Sequence, residues 1–129
     1  MRIMPDTNVL ISVALFPNSI STQALHEAMN EHTLVICTYI IAELEEVFNR
    51  KFPDKINHLR AYMSKLAYEL CPTPIVTADT PAMRDEDDRP ILQAAIDENV
   101  DVILTCDKDF HALDIIRPRI VQPSEFLKN

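Results

Sequence analysis

Met1-Arg2-Ile3-Met4-Pro5-Asp6-Thr7-Asn8-Val9-Leu10 is the stretch on which the fold turns. Ile3 and Met4 run into Asp6, and after Thr7 and Asn8 a second apolar run extends from Val9 to Leu15. Apolar residues ended by an acid and followed by a helical run describe a buried strand handing over to a helix. Asp6 or Asn8 is a natural cap for that helix. The carboxyl end of a strand in an open α/β sheet is also where such folds bind ligands. One acid does not separate the two roles; recurrence of acids at similar places does.

Outward from that stretch, strand-like and helix-like patterns alternate. Ser19–His32 reads as a helix with Ile20, Leu25 and Met29 inward and Ser19 or Ser21 as cap. Thr33–Cys37 is rich in β-branched residues and reads as a buried strand, with Thr38 placed to cap the next helix. From Tyr39 to Lys51, Ile40, Ile41, Leu44, Val47 and Phe48 fall on one helical face. Glu43 and Glu45 lie at its two margins, and Glu43 is nearer the strand end; Glu46 points to solvent. After Pro53, Asp54–Leu70 reads as a helix with Ile56, Leu59, Met63, Leu66 and Leu70 inward, and Pro72–Thr77 as a short strand.

A loop, Ala78–Asp88, precedes a helix over Arg89–Asn99 that tolerates Pro90 in its first turn. Asp88 is a candidate cap for it. Asp88 also precedes Ile91, Leu92 and Ala95 at helical spacings, which puts it on the buried face. Asp87 is a close rival, while Asp85 and Glu86 read as loop charges. Asp101–Thr105 is a clear strand that runs into Cys106-Asp107-Lys108-Asp109-Phe110. A short helix near His111–Leu113, a strand at Arg119–Val121 and a turn at Ser124–Leu127 follow.

Composition bounds the class. The 129 residues, 47% apolar and 25% charged, are expected to form one soluble domain, 1–129. No apolar run approaches the ~20 residues of a membrane span, and the chain opens directly on a strand, so a cytoplasmic protein without a signal peptide is expected. Cys37, Cys71 and Cys106 lack zinc-site spacing and read as reduced thiols, with Cys37 and Cys106 in the core. The absence of glycine excludes a P-loop and the dinucleotide fingerprint. Turns therefore rest on proline and on residues such as Asn30, Asn49 and Asn99. A net charge of −8 argues against a general nucleic-acid coating protein. Locally, Arg50, Lys51, Lys55, Arg60 and Lys65 face one acid, Asp54. That stretch is either a solvated helix surface or a track for phosphates. His26, His32, His58 and His111 are scattered and read as surface residues.

Alternation of this kind implies a three-layer α/β/α sandwich around a mostly parallel sheet. Its strand C-ends share one edge, where Asp6, Glu43, Asp88 and Asp107 with Asp109 should converge. Carboxylates brought together repel one another unless a cation is present. Oxygen ligands favour Mg²⁺ or Mn²⁺, whereas zinc prefers the His and Cys patterns missing here. Metal-assisted hydrolysis of a phosphodiester is the reaction such a site fits.

Asp6-Thr7-Asn8, Glu43 on a helix after the second strand, Asp88-x-x-Ile91-Leu92-x-x-Ala95 and Thr105-x-Asp107-x-Asp109-Phe110 together resemble the PIN-domain nucleases. The resemblance spans essentially the whole chain. It implies a Mg²⁺- or Mn²⁺-dependent endoribonuclease in which Asp6, Glu43, Asp88 and Asp107 are the metal-binding acids. Asp109 would be an auxiliary ligand and Thr7, Asn8 and Thr105 polar supports; the basic track read from local charge, Arg50, Lys51, Lys55 and Arg60, would then contact RNA. Compact relatives are often the toxin of a toxin–antitoxin pair, usually a homodimer inhibited by a small antitoxin. The family commonly has glycine before the final acids, where this chain has Cys106. Two other readings compete. A non-catalytic PIN-like interaction module would have a broken acidic set. A receiver-like phosphoacceptor would have its acid at the end of the third strand and a lysine after the fifth.

Overall fold

Ile3 and Met4 are fully buried, and around them Arg2–Pro5 forms the central strand, β1. The computed structural model describes residues 1–128. Thr7–Leu15 (α1) and Ile20–Glu31 (α2) lead to β2, Thr33–Cys37. Thr38–Lys51 (α3), a 3₁₀ turn at Pro53–Lys55 and Ile56–Lys65 (α4) lead to β3, Glu69–Cys71. A loop then reaches a 3₁₀ turn, Glu86–Asp88, that runs into α5, Arg89–Asp97. Val102–Leu104 (β4), Lys108–His111 (α6), Arg119–Val121 (β5) and Pro123–Lys128 (α7) follow.

The five strands are all parallel, in the order β3-β2-β1-β4-β5. The chain steps outward from β1 to β3, then returns to the far side of β1 for β4 and β5. Right-handed connections made in opposite directions cover opposite faces, which gives the three-layer α/β/α sandwich. The order reverses between β1 and β4, and ligands of such sheets bind beyond the strand ends at that reversal. β3 is an edge strand here, so the order is not the receiver-like 2-1-3-4-5, whose third strand lies beside the first. Met4 pairs with Ile103 and Pro5 with Leu104, so β1 and β4 end level. One further ladder bond, Asp6 N–H to Leu104 O at 3.0 Å, brings Asp6 beside Thr105. Phe48, Phe110, Leu10, Leu25, Ile36 and Leu92 are among the side chains that close the core.

Several elements differ from the sequence expectation, each for a local reason. β3 occupies Glu69–Cys71 rather than Pro72–Thr77, because Pro72 and Pro74 have no N–H to give to a ladder. The helix expected over Asp54–Leu70 begins as the 3₁₀ turn and stops at Lys65, where Leu66 turns extended. Leu70, expected inward, is 56% exposed on the edge strand. Ile20 is likewise exposed, and Cys106, expected in the core, is exposed while Cys37 and Cys71 are buried. The C-terminal turn is a helix, α7, whose buried Phe126 meets the ring of His32 edge-on. Of the three asparagines read as turn residues, Asn99 takes the left-handed conformation (φ 55°) just past α5, where glycine is usual.

Thr38 does not cap α3; it is the first helical residue, and Cys37 in the cap position offers no side-chain bond. The cap comes from outside the helix. The Thr73 hydroxyl oxygen accepts the Tyr39 N–H at 2.8 Å and lies 2.9 Å from the Thr38 hydroxyl. Thr73→Ala should therefore cost about 1 kcal/mol. Thermal unfolding should read this as a midpoint about 3–5 °C lower. An unchanged midpoint would show that water replaces the cap at no cost.

Candidate metal centre

The reversal between β1 and β4 opens a cleft of about 150 Å³ lined by Asp6, Thr7, Asn8, Glu43, Asp85, Asp88 and Asp107, among others. Asp6 ends β1 and caps α1, and both of its carboxylate oxygens are engaged. Oδ1 accepts the Val9 N–H at 2.8 Å, and Oδ2 accepts from the Thr105 hydroxyl. The cap and the site acid are thus one residue. Asp6 is 3% exposed. Burial pushes its carboxyl up to about 6, against the pull of the Thr105 and Val9 bonds; the charges of Asp107 and Glu43 push the same way.

Thr105 ties two acids together. Its oxygen donates to Asp6 and accepts the Asp107 N–H at 2.9 Å. Asp107 in turn caps the short α6 by accepting the Asp109 N–H at 2.9 Å. The His111 ring reaches back from α6, its Nε2 2.8 Å from the Thr105 carbonyl oxygen. His111 is exposed, as expected, and also fastens the strand end that carries Thr105. On the opposite wall, Glu43 sits in the second turn of α3 and accepts a bond from the Thr7 hydroxyl. Glu45 points elsewhere and pairs with Arg60 at 3.0 Å.

Asp88 stands at the junction of the 3₁₀ turn and α5 and makes no cap bond. Among the described residues, its Oδ2 is the buried side-chain oxygen with no hydrogen-bond partner. Burial, then the charges of Asp107, Asp85, Glu43 and Asp6, push this carboxyl up to about 7. Asp87, the rival, does not line the cleft. Its contribution is the backbone carbonyl, which accepts from the Tyr39 hydroxyl at 2.8 Å and ties this turn to α3.

Asp85 was expected to be a loop charge, yet it lines the cleft. Asp85 caps the 3₁₀ turn from the position before it, its Oδ1 accepting the Asp87 N–H at 3.0 Å, and its carboxylate stands beside that of Asp88. Asp109 does not line the cleft itself. A carboxylate oxygen from each of Asp85, Asp88 and Asp109 nevertheless lies within 4.8 Å of the other two. Arg84 covers the outer side of Asp109, with Nε 2.8 Å and Nη2 3.3 Å from its two oxygens.

The basic stretch stands apart from the cleft. Arg50 pairs with Glu46 along α3 at 2.8 Å, and Lys51 and Lys55 are exposed. Arg60 borders a separate groove between α3 and α4, lined by Ile41, Leu44, Leu59 and Met63. None of the four lines the acidic cleft.

The donor set suits a hard divalent cation. Every polar group facing the cleft offers oxygen except for the Asn8 amide nitrogen, and the orphaned Asp88 Oδ2 is a buried acceptor without a donor. Among the described residues, the acids whose oxygens gather closely enough for one ion are Asp85, Asp88 and Asp109, and Asp6, Glu43 and Asp107 line the cleft next to them. The four acids that the sequence picked out come together, and Asp85 joins them.

No curated protein matches the chain at the sequence level. Its fold is similar to solved structures. One is a chain in the structure of VapBC2 from Rickettsia felis bound to a DNA fragment from their promoter (TM-score 0.72, 14% identity, covering 95% of this chain and 98% of that one). A second is from DNA-bound VapBC of Salmonella typhimurium (0.70, 15%, 95% and 98%). A third is Mycobacterium tuberculosis VapC20, a sarcin–ricin loop cleaving toxin (0.60, 11%, 88% and 96%). The PIN domain family model matches residues 2–109, a span that holds every acid described above. With that match and this arrangement, the chain belongs to the PIN domain family.

Proposed function

We propose that this chain is a Mg²⁺- or Mn²⁺-dependent endoribonuclease and the toxin component of a toxin–antitoxin pair. The observation that carries the reading is the convergence of Asp6, Glu43, Asp88 and Asp107 on one cleft, with Asp88 Oδ2 buried and unpartnered. When bound there, a divalent cation supplies an activated water and neutralises charge developing on the phosphate. The chain's own residues hold the acids in place. Thr105 fixes Asp6 and Asp107 relative to each other, and Thr7 fixes Glu43. Asn8 is exposed at the cleft and is placed to meet a substrate rather than the core.

The chain is read as a single domain acting on RNA in the cytoplasm, as a homodimer held in check by a small antitoxin. Among the described residues, no helix is long and apolar enough to cross a membrane. The similarity to chains from VapBC structures and to a sarcin–ricin loop cleaving toxin supports the partner and the substrate class. The test is cleavage of a mixed single-stranded RNA by wild type and Asp6→Asn, with Mn²⁺, Mg²⁺ or EDTA. Cleavage that needs the metal and falls by about 10²-fold or more in the variant is expected, as for loss of one essential group. Equal cleavage by both proteins would assign the activity to a contaminant. A wild type that binds neither metal and cuts nothing would favour the interaction-module reading.

A further inference from the structure

Arg84 is the cation that the described structure pairs with this acidic group. Its side chain is 87% exposed, whereas that of Asp109, which it holds by two contacts, is 12% exposed. The guanidinium is thus anchored only at its tip and is otherwise free in solvent. Asp109 also has an oxygen within 4.8 Å of oxygens of Asp85 and Asp88. An ion lodged among these three competes with Arg84 for the same carboxylate. The planar guanidinium fork matches a carboxylate and a phosphate in the same two-point geometry. The chain carries a net charge of −8, and Arg50 and Arg60 are paired on other surfaces. Arg84 is therefore an exposed arginine at the edge of the acidic group, and exposed Lys108 lies between Asp107 and Asp109 in the chain.

We infer that Arg84 is a positioning residue for the scissile phosphate. Its guanidinium holds Asp109 while the acids lack a metal, and it passes to a phosphate oxygen of the RNA once that carboxylate is taken by a divalent cation. This role rests on the metal-dependent RNA hydrolysis proposed above.

The test compares wild type, Arg84→Gln and Arg84→Lys in two measurements: Mn²⁺ affinity by calorimetry without RNA, and steady-state cleavage of a single-stranded RNA across a salt series. Removing a competing charge at this distance should tighten Mn²⁺ binding by Arg84→Gln about 3–10-fold. Loss of a charged two-point contact should raise its KM about tenfold while kcat changes less, and should lower the salt slope by about one. Arg84→Lys should keep wild-type metal affinity but not wild-type KM, because an ammonium lacks the fork. Unchanged Mn²⁺ affinity and KM in Arg84→Gln would reduce Arg84 to a surface ion pair and overturn the inference. Weaker Mn²⁺ binding in that variant would overturn it too, showing that Arg84 braces Asp109 for the ion. A wild type that binds Mn²⁺ without cutting RNA would overturn the nuclease reading, and the phosphate role with it.

Discussion

Asp88→Asn should lower RNA cleavage by about 10²–10⁴-fold and, in the same protein without metal, raise stability. Both effects have one source. Asp88 Oδ2 is buried with no donor, and Asp6, Glu43, Asp85 and Asp107 surround it. At neutral pH the folded protein must keep a charge there that burial and four acids oppose. The amide carries no charge and is of the same shape, and no existing hydrogen bond is lost because Asp88 does not cap α5. Asp88 is half-buried, so solvent screens part of the repulsion, and the gain is about 1–2 kcal/mol. That is about 3–8 °C in the unfolding midpoint. Asp6→Asn should gain less. Its Oδ1 continues to cap α1, but the amide nitrogen must turn the Thr105 hydroxyl around to find an acceptor. Mn²⁺ should stabilise the wild type more than Asp88→Asn at the same concentration. Thermal unfolding with EDTA and with Mn²⁺ measures all of this. A lower metal-free midpoint for Asp88→Asn would make Asp88 a structural acid rather than a ligand.

The pH dependence of metal-free stability should show the same strain. The carboxyls of Asp6 and Asp88 stand at about 6 and about 7 in the folded chain, against an ordinary value of 3.8. Between about pH 4 and pH 7 the folded state therefore binds more protons than the unfolded state. By linkage, stability falls as pH rises through that window and levels off above it. We expect the metal-free midpoint of the wild type to fall from pH 5.0 to pH 7.5, by about 1–3 kcal/mol in stability. Most of that slope should vanish in Asp88→Asn. Glu45, Glu46, Glu69 and Asp101, held below their ordinary range by arginine partners or a backbone N–H, act with the opposite sign but at lower pH. The general repulsion of an acidic chain is present in both proteins and cancels in their difference. Saturating Mg²⁺ should flatten the wild-type curve. Equal slopes in both proteins would mean that Asp88 ionises as freely folded as unfolded.

The sequence shows most clearly what short, buried, locally determined segments specify. Ile3-Met4, Leu34-Val35-Ile36-Cys37 and Val102-Ile103-Leu104 are apolar on both faces, which suits a parallel sheet, and all three are strands. The acids that follow β1 and β4, and Glu43 early in α3, come together because strand ends and helix starts share one edge of such a sheet. What stayed hidden depends on partners distant in sequence or on the capping of a short turn. Thr73 caps α3 from 34 residues beyond Tyr39. β3 is chosen by pairing with β2 at Cys37 and Cys71, not by the β-branched run that follows it. Asp85 joins the site as the cap of the turn that carries Asp88, a turn with no apolar period to mark it. Arg50 and Arg60 look like a basic track in one dimension but are matched by Glu46 and Glu45 in three.

The most direct test of a metal-holding acidic cleft is a calorimetric titration of wild type and Asp88→Asn with Mn²⁺ at pH 6.5, in two buffers of different ionisation heat. We predict saturable binding by the wild type, with protons released because Asp6 and Asp88 are partly protonated at that pH in the folded chain. Asp88→Asn should bind more weakly and release fewer protons. A folded wild type that shows no saturable Mn²⁺ binding, or binds it equally well without the Asp88 carboxylate, would contradict the assignment.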